Sequence, residues 1–348
     1  MIDFAELKVD ALLVSGLSNV RYLTGFTGSN ALLLLTPKSE TLFTDPRYTI
    51  QASEECRCPV QIVKAGSLFI GAARTIGRKR LKKIGFEKAR LEYEGYELLK
   101  DQLPLGASLK PLSGIIENLR MIKTQDEIAR IRRSVLTNSE AFSSTLALIK
   151  PGTSESDLAA ELEYQMRLHG AEKPSFETIV AAGMHSALPH ARPTQEKVAP
   201  NQPLLIDMGA TQNGYTSDMT RTVFIGRPDK RAKSMYEAVL EAQLAAISAV
   251  RAGVTAEQVD RQARQMLKAR GLEKEFVHST GHGLGLEIHE RPRIGKRDKT
   301  RLASGMVITI EPGAYVRGFG GVRIEDTVLV TNNGCEVLTP TSKDLTVL

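Results

Sequence analysis

Three of the chain's six histidines, His278, His282 and His289, fall within residues 278–292, "HSTGHGLGLEIHERP". Histidine can ligate a divalent cation, carry a proton near neutral pH or simply pack, and this spacing does not choose among the three. The carboxylates do. "LLID" at 204–207 is a short apolar strand ending in Asp207, and Asn213-Gly214 is a two-residue hairpin signal. With those two residues as the loop, Gln212 faces Tyr215 and Gly209 faces Asp218. Asp207 and Asp218 then become diagonal neighbours on one face, within mutual side-chain reach. Paired carboxylates with apolar flanks repel and raise one pKa unless a cation lies between them. Downstream, Glu311 closes the apolar run at 306–310 and Glu325 closes "GVRIE" at 321–325. Their parity permits one face, but the connection between them is too long to fix a register. Arg323 shares the face of Glu325 and is placed to pair with a carboxylate of this group. Four carboxylates and one imidazole are a ligand set for two divalent cations, with at least one carboxylate shared. Two such cations ~3.5–4 Å apart activate water for hydrolysis. An oxygen-rich set with one nitrogen suits Mn²⁺, Co²⁺, Fe²⁺ or Zn²⁺. His169 and His185 read as surface or structural residues.

These residues need elements to position them. Residues 11–14, 31–35, 41–43 and 60–63 read as strands, and 67–76 and 93–102 as helices, so the first 120 residues predict an α/β domain. Thr124-Gln-Asp-Glu127 is a capping box opening a helix whose apolar positions run from Ile128 to Ile149, with Pro151-Gly152 as its stop. A second domain is therefore expected over residues 121–348. It repeats itself at an offset of 101 residues: "GTSESDL" at 152–158 matches "GVTAEQV" at 253–259, each opening a helix closed by glycine. His190-Ala-Arg-Pro193 matches His289-Glu-Arg-Pro292, and Asp207 and Asp218 are echoed by Glu311 and Glu325. Helices followed by strands, used twice, predict two similar halves with a site between them.

Composition removes several classes of function. The 348 residues are 42% hydrophobic and 25% charged, ordinary for a globular protein. The longest aliphatic run, 31–35, is too short to cross a bilayer, and "MIDFAELKVD" is no signal peptide. Three cysteines make no disulfide framework, so a reducing cytoplasm and no membrane are expected. The net charge of +6 concentrates in "RTIGRKRLKK" at 74–83. Without interleaved aromatics this reads as a solvated helix end, not a nucleic-acid surface.

The segments at 176–193, 204–222, 278–292, 306–315 and 320–330 together resemble the pita-bread metallopeptidases, in particular their Xaa-Pro branch of prolidases and aminopeptidases P. "LRMIKTQDEI" at 119–128 resembles the opening of that family's catalytic domain, and the first 120 residues its creatinase-like accessory domain. The resemblance implies an α+β pita-bread catalytic domain with a pseudo-two-fold repeat. It implies a dinuclear exopeptidase that cleaves before proline, in dipeptides or at the N-terminus of peptides with proline second. Its metals would be two divalent ions, Mn²⁺ first among those above. The ligands it implies are Asp207, Asp218, His282, Glu311 and Glu325, with Asp218 and Glu325 bridging and Glu311 also moving the proton. His190, His278 and His289 would serve substrate and intermediate. "TDPRY" at 44–48 resembles a stretch of aminopeptidases P, which makes Arg47 a candidate to reach a neighbour's substrate in a homodimer. Two other readings stay open: methionine-aminopeptidase-like activity, and a peptide-binding pseudo-peptidase without catalysis.

Overall fold

The computed structural model describes residues 2–348, in two compact units that divide between Arg120 and Met121. The first is built on a six-stranded mixed sheet. Its order is Val60–Ile62, Ser39–Thr44, Ala31–Thr36, Ala11–Val14, Lys83–Glu87, Ser108–Leu112. The unbroken aliphatic runs of the central strands follow from burial on both faces. Leu32 and Leu34 join Leu13, Phe43 and Ile76 in one core, while Leu33 and Leu35 join Leu12, Val20 and Leu42 in the other. Ser67 caps the helix Leu68–Arg78, which runs two residues beyond the predicted end. The basic stretch at 74–83 falls on the outer end of this helix and the turn into Lys83–Glu87, its Lys and Arg side chains exposed. That strand is missing from the sequence reading because "KIGFE" is short, charged at both ends and interrupted by glycine.

The second unit opens with the helix Gln125–Leu146, and both arms of the Thr124–Glu127 capping box are formed. The helix stops three residues before Ile149. Its last turn tightens through Leu148 N–H to Thr145 and Ile149 N–H to Leu146, so Ile149 packs from a turn rather than from the helix. Two helices carry the repeat, Glu155–Leu168 and Ala256–Ala269. Their caps Ser154 and Thr255 each form a capping box, and each helix is followed by a positive-φ glycine, Gly170 and Gly271. Each half has its own apolar core and sheet. In the first half, Gln202–Met208 lies between Ile179–Ala182 and Met219–Ile225. In the second, Gly281–Gly283, Val307–Ile310 and Asp326–Val330 are successive neighbours.

Two long hairpins supply the site. In the first, Asn213 and Gly214 have φ of 50° and 76°, the positive pair a tight hairpin turn requires. Gln212 pairs with Tyr215, and the same register resumes with Met208 opposite Met219 and Asp207 opposite Thr220. Asp207 and Asp218 are therefore diagonal neighbours, as the turn implies. In the second, Gly313 pairs with Arg323 and Ile310 with Asp326. That single register sets Glu311 directly opposite Glu325, a relation the sequence leaves undetermined. The ladder breaks there because Pro312 has no N–H to give. The N–H groups of Glu311 and Glu325 go instead to the carbonyls of Thr280 and Thr220.

Candidate metal centre

The two hairpins are stitched together beside their acidic residues. Thr327 Oγ1 donates to the Asp218 carbonyl at 3.0 Å, and Thr222 Oγ1 to the Arg323 carbonyl at 3.0 Å. Asp218, His282 and Glu325 each bring one ligand atom within 4.8 Å of the others. His282 Nε2 lies 3.4 Å from Asp218 Oδ2 and 3.6 Å from Glu311 Oε1. Asp207 joins through Arg323, whose Nη2 donates to its Oδ2 at 2.6 Å. His282 reaches the cluster because its strand comes unusually close to Val307–Ile310. A Cβ on Gly281 would lie 1.9 Å from the Thr309 carbonyl oxygen, so only glycine fits before this histidine.

Burial raises the pKa of Asp218, and Asp207 and Glu311 raise it further. Glu325 is likewise pushed well above the ordinary range, by burial and then by Asp218 and Glu311. Burial also raises Glu311, although His282 opposes the shift. Asp207 Oδ1 and Glu325 Oε1 are buried without a hydrogen-bond partner. Buried polar atoms left unpaired are costly, and one cation, Arg323, does not neutralise four carboxylates. Unsatisfied oxygens, crowded acids and an adjacent imidazole nitrogen fit a divalent metal ion.

The remaining histidines divide. His289 is exposed at the edge of the cluster, its ring edge-on to His282 at 4.5 Å. The protein atoms packed around one side of the ring partly desolvate it and, with the neighbouring His282, lower its pKa. His190 is exposed, and its charge acts unfavourably on both His278 and His289. His278 has a protein partner at each ring nitrogen. Its Nδ1 is 2.8 Å from the Ser279 carbonyl and its Nε2 is 2.9 Å from Tyr315 Oη. Arg323 Nη1 donates to Tyr315 Oη at 2.6 Å. This places the tyrosine proton toward Nε2 and the His278 proton on Nδ1. Burial drives the His278 pKa down to about 4, so the ring is neutral at pH 7. His185 pairs with the buried Glu155 at 2.9 Å, and His169 lies 3.2 Å from Ser144 Oγ; both act within the scaffold.

Arg47 belongs to the first unit. It lies on the turn Pro46–Tyr48, where its exposed guanidinium holds both oxygens of Asp45 at 2.9 Å. Hydrogen bonds from Arg47 and Asn30 hold the Asp45 carboxyl far below the usual range.

Sequence reasoning misses Tyr315, Thr220 and Thr309. Thr220 donates to Glu325 Oε2 at 2.7 Å and accepts from Arg323 Nε at 3.0 Å. Thr309 accepts from the His282 N–H at 3.1 Å. The parity argument that picks out Arg323 also marks them, since Thr309 is two residues before Glu311 and Thr220 two after Asp218.

The chain's likeness to known proteins agrees with this chemistry. A model of the creatinase/prolidase N-terminal domain matches residues 3–122, and one of metallopeptidase family M24 matches residues 129–332. An Xaa-Pro dipeptidase of Pyrococcus horikoshii is 39% identical over 99% of this chain and 97% of its own. Among solved structures, an Xaa-Pro dipeptidase from Bacillus anthracis superposes with a TM-score of 0.96 at 39% identity, covering 99% of this chain and 97% of the other. An X-Pro aminopeptidase from Thermotoga maritima gives 0.92 at 36% identity, covering 99% and 100%. Acids that converge from two repeated hairpins are thus the centre of a pita-bread protein, and the chain belongs to metallopeptidase family M24.

Proposed function

We propose that this chain is a metallo-exopeptidase that hydrolyses the peptide bond preceding proline, in dipeptides or at the N-terminus of longer peptides. The observation that carries the reading is the convergence of Asp207, Asp218, Glu311, Glu325 and His282, with two buried carboxylate oxygens lacking any partner. These five side chains would hold two divalent ions, with Asp218 and Glu325 shared and Mn²⁺ the first candidate, ahead of Co²⁺, Zn²⁺ or Fe²⁺. When bound, such ions polarise a peptide carbonyl and make water a competent nucleophile at neutral pH.

The chain's own groups do the rest. Glu311, its proton affinity raised by burial, takes the proton of the attacking water and delivers it to the departing proline nitrogen. His190 and His289, the exposed imidazoles, orient substrate and stabilise charge on the carbonyl oxygen. His278 fixes Tyr315, which with Thr220 holds Arg323 against Asp207. The protein works as a homodimer in the cytoplasm, where its three cysteines stay free.

A site shaped for a ring gains nothing from alanine and must leave the extra N–H unpaired, which costs ~1–3 kcal/mol, or about ten- to a hundredfold. Ala-Pro should therefore exceed Ala-Ala by at least about tenfold in kcat/KM. Assays of both dipeptides after metal reconstitution, with Ala-Pro-Ala alongside to read length preference, test the function. Equal rates on Met-Pro and Met-Ala would point instead to a methionine-aminopeptidase-like activity.

The Arg47–Asp45 pair is solvent-exposed and inexpensive to break. If Arg47 meets substrate held by the partner subunit, Arg47→Ala raises KM and leaves metal content unchanged. Full activity from a monomer at assay concentration, shown by light scattering, would refute this role.

A further inference from the structure

Residues 274–280 have no regular secondary structure, yet they present His278 and lead into His282. Their backbone is gripped from outside the metal centre by one pair on the helix Ala256–Ala269. Asp260 and Arg264, one turn apart, meet at 2.7 Å with side chains 2% and 17% exposed. Arg264 Nη2 donates to the His278 carbonyl at 2.5 Å and Nη1 to the Phe276 carbonyl at 3.3 Å. The guanidinium also stacks over the Phe276 ring at 4.3 Å. Asp260 Oδ1 accepts from Thr280 Oγ1 at 2.8 Å, and the Thr280 carbonyl accepts the Glu311 N–H at 2.7 Å.

Helix stability alone does not account for this arrangement. A helical i,i+4 pair adds only ~0.2–0.5 kcal/mol, whereas burying a carboxylate is expensive unless its oxygens are used. Here the Asp260 oxygens take Arg264 and Thr280, and Arg264 spends its other donors on carbonyls of the irregular segment.

We infer that Asp260 and Arg264 form a positioning clamp that sets the placement of His278, His282 and Glu311 for turnover. The inference rests on the hydrolytic function proposed above. The clamp is reachable from solvent, because Arg264 lines a cleft of about 240 Å³ together with Arg261 and Lys296.

Misplacing reacting groups by about 1 Å costs on the order of a hundredfold. Arg264→Ala should thus lower kcat for Ala-Pro about ten- to a hundredfold, with KM and metal content near wild type. Its cavity opens to the cleft, so millimolar guanidinium should restore part of kcat in Arg264→Ala and do nothing for wild type. Thr280→Val keeps the shape, removes the hydroxyl donated to Asp260, and should lower kcat in the same direction. Arg261→Ala, which leaves the clamp intact, serves as the control with unchanged kinetics. Wild-type kcat in both Arg264→Ala and Thr280→Val overturns the inference. So does a loss in Arg264→Ala that tracks lost metal or lost folded protein and is not rescued, with Thr280→Val unaffected. If Arg264→Ala does not fold, Thr280→Val decides alone. Inactive wild type on Ala-Pro would instead remove the proposed function and leave the clamp's structural contacts untouched.

Discussion

Replacing Glu325 with glutamine is expected to abolish turnover and, in the metal-free protein, to raise stability. The two effects share one cause. Glu325 is buried, its Oε1 has no partner, and Asp218 and Glu311 crowd it. A cation turns that liability into a ligand. Loss of a ligand that supports several kcal/mol of charge stabilisation lowers kcat by about a thousandfold or more. Without metal the signs reverse. A carboxylate whose folded pKa lies above its unfolded value keeps its proton better in the folded state. Metal-free stability should therefore fall as pH rises from the ordinary carboxylate range through the raised value. Glutamine mimics the protonated form and removes that contribution. Melting of chelated wild type and Glu325→Gln at pH 5 and pH 8 should show the variant gaining on wild type only at the higher pH. A variant less stable than wild type at pH 8 would contradict the account of an acid cluster built for a cation.

The second large effect belongs to Arg323. Its guanidinium is 3% exposed and pairs with Asp207 at 2.6 Å. It also donates to Tyr315 Oη, Thr220 Oγ1 and the Pro189 carbonyl. Arg323→Met keeps much of the volume but strands a buried carboxylate and a phenol. Removing one partner of a buried ion pair costs about 3–5 kcal/mol, which for a unit of this size lowers the Tm by about 10 °C. Arg323→Lys restores the charge without the fork that meets four acceptors at once, and should recover only part of the loss. Calorimetry on the two variants measures this. A change in Tm of only a degree or two for Arg323→Met would mean that Asp207 finds its counter-charge elsewhere.

The sequence discloses the site unevenly. Asn213-Gly214 is a turn with one dominant geometry, so the register of the first hairpin, and with it the diagonal relation of Asp207 and Asp218, follows from local chemistry. The second hairpin has a longer connection, and its register rests on Gly320–Arg323 folding back on Gly313–Val316, which no short motif announces. The helix after Thr124 begins where its capping box says, but its end at Leu146 is set by a tightened last turn. Periodicity overruns that end, since Ile149 is still buried. His278 shows the limit most clearly. Its motif resembles that of a substrate histidine, but its partners Ser279 and Tyr315 are set by tertiary packing, and they occupy both ring nitrogens. Tyr315, Thr220 and Thr309 escape notice because hydroxyl residues on strands are common and become informative only beside a carboxylate.

These five residues are proposed to form a two-metal centre for cleavage before proline. This is tested most directly by stripping the protein with a chelator and titrating Mn²⁺ back while following both bound metal and hydrolysis of Ala-Pro. The account predicts no turnover without metal, and activity that rises to a plateau as a second equivalent binds. Full Ala-Pro hydrolysis by the metal-free protein, or a plateau reached with no metal held by Asp207, Asp218, His282, Glu311 and Glu325, would contradict it.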